Sequence, residues 1–283
     1  MVTPFQFLSV CDEVGKMMVQ ELSPLIGTAY GGEELCIGAD NTPTERIDRV
    51  AEDLVLSVFR EKKICRSLLS EEAGMVDIGG DFGIAYLDPV DGTFNAVSGI
   101  PFYALSIALS DGKQVVAGYV KNLANGETFT AILGEGAYLD GRPIQVSTET
   151  MLDHSAMSVY AKKFDVTRMM QLGHKIRRWR LLGASALELC YVACGRLDGF
   201  VDLRNTLRVT DAAAGILICR EAGGRVTLPD GSPVEFPDNV AAGRCLVATK
   251  PVYYRKRVWD LGGWRRAVLV VRLFLTSGAA RAN

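Results

Sequence analysis

The segment LDPVDGTFN, residues 87–95, places two carboxylates three residues apart at the end of an apolar stretch. Pro89 cannot donate a backbone hydrogen bond to a sheet, so the strand is predicted to stop there and the chain to turn. The turn can direct Asp88, Asp91 and the Val90 carbonyl to one point. A ligand set made only of oxygens suits Mg²⁺ better than zinc. The alternative is that the two acids only cap a turn.

Two further acids occupy similar places in the sequence. Glu71 follows the strand-like stretch ICRSLLS, and Asp211 opens the helical stretch AAAGILICREAGG. In isolation each has a simpler interpretation, an exposed turn for Glu71 and a helix N-cap for Asp211. Together with Asp88 they form an ordered set of carboxylates of the kind that binds metal. Gly92 adds a point where the backbone can approach a ligand closely.

The hydrophobic pattern divides the chain into two halves. In residues 1–150, helical spacing at 5–25 and again from about residue 44 precedes strand-like segments, which predicts helices packed on an antiparallel meander. Between the helices, GADNTPT at 38–44 predicts a polar, mobile loop. In residues 151–283, strands alternate with helices, one of them at about 166–173, which is typical of an α/β domain. The predicted fold class is therefore α+β followed by α/β, with the halves packed as one body.

Composition narrows the function classes. The chain has 283 residues, of which 48% are apolar and 23% charged, as in soluble globular proteins. A net charge of -2 supplies no overall attraction to nucleic acid or to an anionic membrane, so small molecules are the expected partners. Seven scattered cysteines without a CxxC pair predict a reducing, cytoplasmic location. Neither histidine lies beside a plausible nucleophile, which disfavours His-dependent covalent catalysis.

The segment after about residue 251 is basic, with seven Lys or Arg against one Asp around the apolar run AVLVVRLFL. This run is too short to span a bilayer, and no signal peptide is predicted at the start of the chain. A terminal helix or a frayed end is the simplest interpretation of the basic tail. A helix that binds a membrane surface or a partner protein is the alternative.

The order of the motifs SEEAG, LDPVDGTFN and TDAAAG followed by EAGG resembles the three-part signature of the inositol monophosphatase and fructose-1,6-bisphosphatase superfamily of Mg²⁺-dependent, lithium-sensitive phosphatases. The resemblance extends over about residues 5–250. GADNTPTERID and GASALELCYVACGRLDGFVDLR are similar to the archaeal subgroup, whose members hydrolyse both fructose 1,6-bisphosphate and inositol 1-phosphate. Thr210, where many members carry Trp, and the basic tail depart from the family pattern.

The resemblance implies a layered αβαβα sandwich of the sugar phosphatase type, a homodimer and a place in carbohydrate metabolism such as gluconeogenesis. It also implies two Mg²⁺ ions, for which Mn²⁺ can substitute, and a catalytic water activated by Glu71 and Thr93. The first ion would be held by Glu71, Asp88 and the Val90 carbonyl, and the second by Asp88, Asp91 and Asp211. A loop that holds Asp40 would close over the site, and Asp40 or Asp48 would help to hold a third, weaker ion.

Substrate-binding residues are likewise implied by the resemblance. They are Asp91, Gly92, Thr93, Arg180, Ala184, Ser185, Asp202 and Arg204. Asp202 would bind a hydroxyl group, and Arg180 and Arg204 would hold a distal phosphate, for which the arginine fork is well suited. Either arginine could instead be a surface cation.

The expected function is hydrolysis of fructose 1,6-bisphosphate and of inositol 1-phosphate. One alternative is a 3′-phosphoadenosine 5′-phosphate phosphatase, which would favour an aromatic shelf for adenine, and the sequence does not identify one. Another is a non-catalytic protein that binds phosphorylated metabolites. A third is a module recruited to a membrane or protein by the basic tail.

Overall fold

The computed structural model describes residues 2–160 and 173–251, and the predicted helix at 166–173 and the basic tail lie almost entirely outside them. The first two helices begin at capping boxes, which satisfy backbone N–H groups that a helix end leaves free. At the first, the Gln6 N–H donates to Thr3 at 3.2 Å. The helices in the described residues are α1 (Pro4–Leu22), α2 (Arg46–Lys62), α3 (Thr93–Val97), α4 (Ser185–Ala193) and α5 (Val209–Glu221), with a 3₁₀ turn at Leu152–His154.

A large sheet of eight strands carries three of the predicted metal ligands, Asp88, Val90 and Asp91. In spatial order its strands are β10, β9, β8, β7, β6, β5, β3 and β4, and all neighbours are antiparallel except β3 and β5, which run parallel. The meander prediction is therefore correct for β5 to β10. The bounds are β3 (Ser67–Ser70), β4 (Gly74–Asp77), β5 (Ile84–Asp91), β6 (Ala104–Ser110), β7 (Val115–Asn122), β8 (Thr128–Ile132), β9 (Gly136–Leu139) and β10 (Arg142–Pro143).

A second sheet of five strands is built from the other half of the chain. Its order is β12, β11, β13, β15 and β14, with the first two pairs parallel and the last two antiparallel. The predicted alternation of strands and helices is correct from β12 to α5, whereas β14 and β15 then follow each other without the predicted alternation. The bounds are β11 (Ala156–Tyr160), β12 (Arg178–Arg180), β13 (Gly199–Leu207), β14 (Arg225–Thr227) and β15 (Arg244–Thr249).

The layers alternate between helices and sheets. On one face of the large sheet, α1 and α2 pack together, with Phe7 and Phe59 edge to face at 6.0 Å between ring centroids. On its other face lie α4 and α5, which also contact strands of the smaller sheet. The described residues therefore form an αβαβ stack that agrees with a layered sandwich. The division of the chain near residue 150 stays a prediction. No helix within the described residues is both long and apolar enough to cross a membrane.

The predicted loop at 38–44 is wrong at its carboxyl end. Glu34–Ile37 forms β1 and Pro43–Glu45 forms β2, and the two pair as an antiparallel hairpin. Proline is tolerated at the first residue of a strand because no ladder bond is lost there. The hairpin leaves only 38–42 as a turn that holds Asp40.

The prediction that the strand stops at Pro89 is also wrong. β5 continues to Asp91, with a register shift in its pairing with β6: Asp88 lies opposite Ser106 and Asp91 opposite Ala104. Two residues therefore oppose one, which is a β-bulge. Pro89 lies in this bulge and beyond the last β5 residue paired with β3, so its missing N–H costs no ladder bond.

Candidate active site

Three carboxylates from three different elements converge beside the β5 bulge. Asp88 comes from β5, Glu71 follows the end of β3 directly, and Asp211 lies in the first turn of α5. One oxygen of each lies within 4.8 Å of the others. We call Glu71, Asp88 and Asp211 the carboxylate cluster. Its members are far apart in sequence, and the mixed pairing of the large sheet and the packing of α5 on it bring them together.

Several carboxylates lie close together in the carboxylate cluster, where burial disfavours their ionised forms. Burial and then the neighbouring acids raise the pKa of Asp88 well above its ordinary range. Burial likewise raises the pKa of Glu71, although the nearby Arg208 guanidinium opposes that shift. A site of this kind gains most from a bound cation, because the cation offsets both the burial and the mutual repulsion.

One cation, Arg208, contacts the carboxylate cluster directly. Its Nη2 lies 2.6 Å from Glu71 Oε1, its Nε lies 3.3 Å from Asp211 Oδ1, and its Nη1 donates to the Asp40 carboxylate. The simpler interpretation of Asp211, a helix N-cap, does not hold, because α5 begins at Val209. Asp211 accepts the Arg208 backbone N–H at 2.9 Å from the third helical position. Asp40 thus reaches the site through Arg208.

Asp91 is held by the amino end of α4. Its two carboxylate oxygens accept the backbone N–H groups of Ser185 at 3.0 Å and Ala186 at 2.6 Å. The free N–H groups and the dipole at a helix start favour a carboxylate there. The resemblance implied that Ala184 and Ser185 bind substrate, but the Ser185 backbone N–H donates to Asp91. The Ser185 side chain still lines the cavity, whereas Ala184 is fully buried.

Thr93 and Asp48 form a pair beside the cavity. The Thr93 hydroxyl lies 2.9 Å from Asp48 Oδ1 and 3.0 Å from the Val90 carbonyl oxygen. Asp48 also accepts the Glu45 backbone N–H at 3.2 Å, and burial raises its pKa to about 8. The Asp48 carboxylate is therefore directed at Thr93 and at the start of α2, and Asp48 is not among the residues that line the cavity.

A second group of polar side chains forms the wall made by the smaller sheet and α4. Glu188, which is 0% exposed, accepts hydrogen bonds from the Ser158 hydroxyl, from the Tyr160 hydroxyl at 2.8 Å and from the Leu182 N–H at 3.0 Å. Burial raises the pKa of Glu188 to about 7. The Tyr160 hydroxyl also accepts the Gly183 N–H at 2.8 Å. These bonds fix the loop that leads into α4.

Asp202 and Arg204 belong to the same wall. Asp202 is 0% exposed, and both of its oxygens accept from Arg204, with Nη2 to Oδ2 at 2.6 Å. The Arg204 guanidinium stacks over the Tyr160 ring at 4.2 Å from its centroid. The pairing of β13 with β15 shifts register after Asp202, and Arg204, Asn205 and Thr206 in this irregular stretch line the cavity. We call Ser158, Tyr160, Glu188, Asp202 and Arg204 the wall network.

Two glycines allow the walls of the site to approach closely. Gly92 has φ +95°, and a Cβ there would lie 3.0 Å from the Gly183 carbonyl oxygen. Gly183 has φ +92°, and a Cβ there would lie 2.7 Å from Asn95 Nδ2. Asn95 itself donates to the carbonyls of Phe102 and Leu182, each at 2.7 Å. The Gly and Asn of the DGTFN motif therefore clamp the two halves of the chain together at the site.

These groups surround one cavity of about 510 Å³. Phe94 stands at its edge with 74% of its surface exposed. Arg180 is exposed, donates to the Trp179 carbonyl at 2.8 Å and does not line the cavity. The predicted site residues that line it are Asp40, Glu71, Asp88, Val90, Asp91, Gly92, Thr93, Ser185, Arg204 and Asp211.

A carboxylate cluster at the mouth of a β-bulge, beside a cavity built by two sheets, agrees with the comparison of the whole sequence with known families. The pattern that defines the inositol monophosphatase family matches residues 5–261. The chain belongs to the inositol monophosphatase family. It is thus a hydrolase of phosphate monoesters, as the motifs predicted.

Similar proteins have two kinds of name, fructose-1,6-bisphosphatase/inositol-1-monophosphatase and bifunctional NADP phosphatase/NAD kinase. The chain is 39% identical to a fructose-1,6-bisphosphatase/inositol-1-monophosphatase of Methanothermobacter thermautotrophicus over 257 residues, 86% of this chain and 92% of the relative. It is 34% identical to a bifunctional NADP phosphatase/NAD kinase of Methanococcus maripaludis over 283 residues, 91% of this chain and 50% of the relative. The chain thus spans about half the length of the bifunctional protein.

The fold of the phosphatase also matches solved structures. A Pyrococcus horikoshii protein described as having similarities to inositol-1 monophosphatase shares it at a TM-score of 0.78 and 33% identity, covering 87% of this chain and 94% of that one. The predicted fold class, a layered α/β sandwich, is therefore confirmed.

Sequence reasoning missed several residues of the phosphatase site. Arg208 gave one usable signal: a cation at a helix start is opposed by the helix dipole, so an arginine there indicates nearby acids. Tyr160 and Phe94 gave no comparable signal, because an isolated aromatic residue in a sequence is usually core. The role of Asn95 as a clamp depends on Leu182, which is distant in sequence.

Proposed function

We propose that the chain is a divalent-metal-dependent phosphatase that hydrolyses fructose 1,6-bisphosphate to fructose 6-phosphate and inositol 1-phosphate to inositol. The observation that supports this most strongly is the convergence of Glu71, Asp88 and Asp211 within 4.8 Å at the edge of the cavity. The names of relatives such as the one from Methanothermobacter thermautotrophicus support the choice of substrates.

The donor set fits a hard cation. The oxygens available are carboxylate oxygens and the Val90 carbonyl, the ligands that Mg²⁺ and Mn²⁺ prefer. Glu71, Asp88 and the Val90 carbonyl would hold one ion, and Asp88, Asp91 and Asp211 a second. The chemistry supplied by such ions is neutralisation of phosphate charge and activation of a water molecule.

The chain's own groups would position and deprotonate the attacking water. When the Thr93 hydroxyl donates to Asp48 or to the Val90 carbonyl, its oxygen lone pairs are free to accept a hydrogen from water. We assign the base to Glu71, because its carboxylate lines the same cavity as Thr93 and can accept the water proton. The hydrogen bonds from α4 would keep Asp91 oriented during the reaction.

The wall network would select the substrate. Arg204 lines the cavity and is held in one orientation by Asp202 and the Tyr160 ring. A guanidinium fixed in this way can meet a second phosphate without a large loss of side-chain entropy. We assign the distal-phosphate role to Arg204 rather than to Arg180, which lies outside the cavity lining. Asp202, with both oxygens used by Arg204, would act on substrate through that arginine.

A phosphate-release assay tests the proposal. We expect purified protein to release phosphate from fructose 1,6-bisphosphate and from inositol 1-phosphate with Mg²⁺ or Mn²⁺, and to lose this activity in excess EDTA. Full activity in EDTA would contradict the metal dependence. Activity on neither ester would contradict the choice of substrates.

A second candidate substrate is the 2′-phosphate of NADP. Two relatives at 33–34% identity are named NADP phosphatase/NAD kinase. Phe94 at the cavity edge offers the exposed aromatic face on which an adenine ring could stack. The same face would serve 3′-phosphoadenosine 5′-phosphate. The ratio of kcat/KM for NADP to that for inositol 1-phosphate distinguishes the candidates.

The homodimer, the cytoplasmic location and a third ion at Asp40 or Asp48 stay predictions. Light scattering of the purified protein tests the dimer. Metal titration of Asp40→Asn and Asp48→Asn variants tests the third ion, because loss of a ligand should reduce the number of ions bound.

A further inference from the structure

Arg208 ties together acids from three parts of the chain. Its guanidinium contacts Glu71 after β3, Asp211 in α5 and Asp40 in the turn between β1 and β2. The Arg208 side chain is mostly buried, and no other Lys or Arg in the described residues pairs with these three acids. Arg208 is therefore the local counter-charge of the carboxylate cluster.

The position of Arg208 is costly without those acids. It is the N-cap residue of α5, where the positive end of the helix dipole opposes a cation. Burial alone would lower its pKa, and the charges of Asp211, Glu71 and Asp88 more than reverse that effect. Arg208 is therefore held at the site by carboxylates that are also members of the proposed metal-binding set.

We propose that Arg208 is an internal cation that competes with divalent metal for Glu71 and Asp211. This inference rests on the proposed metal-dependent function, which it extends to the control of metal affinity. The guanidinium lies 2.6 Å from Glu71 Oε1, so a metal ion bound to the same carboxylate would bring two positive charges close together. Metal binding would therefore weaken the contacts of Arg208 with these acids. Asp40 stays available as its partner.

The consequence is a weaker metal site than the acids alone would form. Arg208 neutralises part of the cluster when metal is scarce, and it sets the metal concentration at which the site fills. If Arg208 had only a structural role, its removal would leave the ligands less well ordered. Metal affinity would then be lower or unchanged.

Isothermal titration calorimetry of the full chain with Mn²⁺ tests the inference. We expect Arg208→Gln to bind Mn²⁺ at least about tenfold more tightly than the original protein, because the competing charge is gone. The matched control is Arg196→Gln, which removes an arginine paired with Glu127 at 2.7 Å outside the cavity lining and should leave Mn²⁺ affinity unchanged. Unchanged or weaker binding by Arg208→Gln would overturn the inference.

Thermal unfolding supplies a second readout. In EDTA, Arg208→Gln should melt at a lower temperature than the original protein, because the carboxylate cluster loses its counter-charge. Saturating Mn²⁺ should remove or reverse that difference, and a difference that Mn²⁺ leaves intact would contradict the inference. If Arg208→Gln does not fold, Arg208→Lys is the test variant. The lysine ammonium is a compact point charge that cannot span the three acids as the wider guanidinium fork does. Mn²⁺ should therefore bind several-fold more tightly, and unchanged affinity would overturn the inference.

The phosphate-release assay keeps the two proposals separate. Mg²⁺-dependent activity of the original protein together with weaker Mn²⁺ binding by Arg208→Gln would overturn only the role of Arg208. Tighter Mn²⁺ binding by Arg208→Gln without phosphatase activity in the original protein would contradict only the proposed function.

Discussion

The carboxylate cluster and the wall network are both buried, acidic and on the same cavity, yet they differ in how their charges are satisfied. In the wall network, Glu188 accepts three hydrogen bonds and Asp202 is fully paired with Arg204. In the carboxylate cluster, Arg208 pairs with two of the three acids, Glu71 and Asp211. Buried acids with enough protein partners stabilise a wall, whereas buried acids without enough partners predict a place for a metal ion.

The largest expected effect contrasts one acid from each region. We expect Asp88→Asn to lower kcat/KM for inositol 1-phosphate by about 10²–10³-fold, the usual scale for loss of a principal electrostatic stabiliser. Asp202→Asn should lower kcat by less than about tenfold and act mainly on KM, because Asp202 reaches substrate only through Arg204. Steady-state kinetics at saturating Mg²⁺ measures both. Equal losses in kcat would break the distinction between the two regions.

The pH dependence of stability tests the wall network through Glu188. The pKa of Glu188 is about 7 in the folded protein against an ordinary 4.5, so the folded state binds more protons than the unfolded state between these values. Glu188 contributes up to about 3 kcal/mol to the free energy of unfolding. This contribution is fully present below pH 4.5 and is lost as pH rises through 7. Glu188→Gln should therefore lose less unfolding free energy than the original protein between pH 5 and pH 8.

Urea unfolding at the two pH values measures this difference. The variant keeps the size of the side chain and an oxygen that can accept the Leu182 N–H. Parallel slopes for the two proteins would mean that Glu188 does not titrate in this range.

Arg204 provides a smaller effect that depends on the substrate. We expect Arg204→Ala to lower kcat/KM for fructose 1,6-bisphosphate about tenfold more than for inositol 1-phosphate, the scale of one charge-assisted hydrogen bond to the second phosphate. The ratio between substrates cancels any loss of folded protein caused by leaving Asp202 unpaired. Arg180→Ala, outside the cavity, is the control and should leave this ratio unchanged.

Phe94 provides the smallest expected effect. If NADP is a substrate, Phe94→Ala should raise its KM about fivefold through loss of stacking, and Phe94→Tyr should keep it. KM for inositol 1-phosphate, which has no base, should not change. An equal change for both substrates would argue against an aromatic shelf.

Much of the fold and of the carboxylate cluster could be predicted from the sequence. Helical and strand periodicity located α1, α2 and most of the large sheet, because one face of each element must be apolar. Glu71 could be predicted because it directly follows a strand, and Asp88 because it pairs with Asp91 in the short motif DPVD, although β5 does not end there. The continuation of β5 through Pro89 could not, because a bulge depends on how many β6 residues lie opposite.

By itself, the sequence determined the family, the layered fold class and the identity of the acids, because these depend on local periodicity and on short motifs whose chemistry is carried by residue type. Only the tertiary structure decided which acids have hydrogen-bond or ion-pair partners within the protein. It pairs Asp91 with α4, Asp202 with Arg204 and Asp48 with Thr93. It also directs Arg208 into the carboxylate cluster. The reason is that an acid finds a hydrogen-bond or ion-pair partner only where elements far apart in sequence come close together. Residue types alone do not specify those distances.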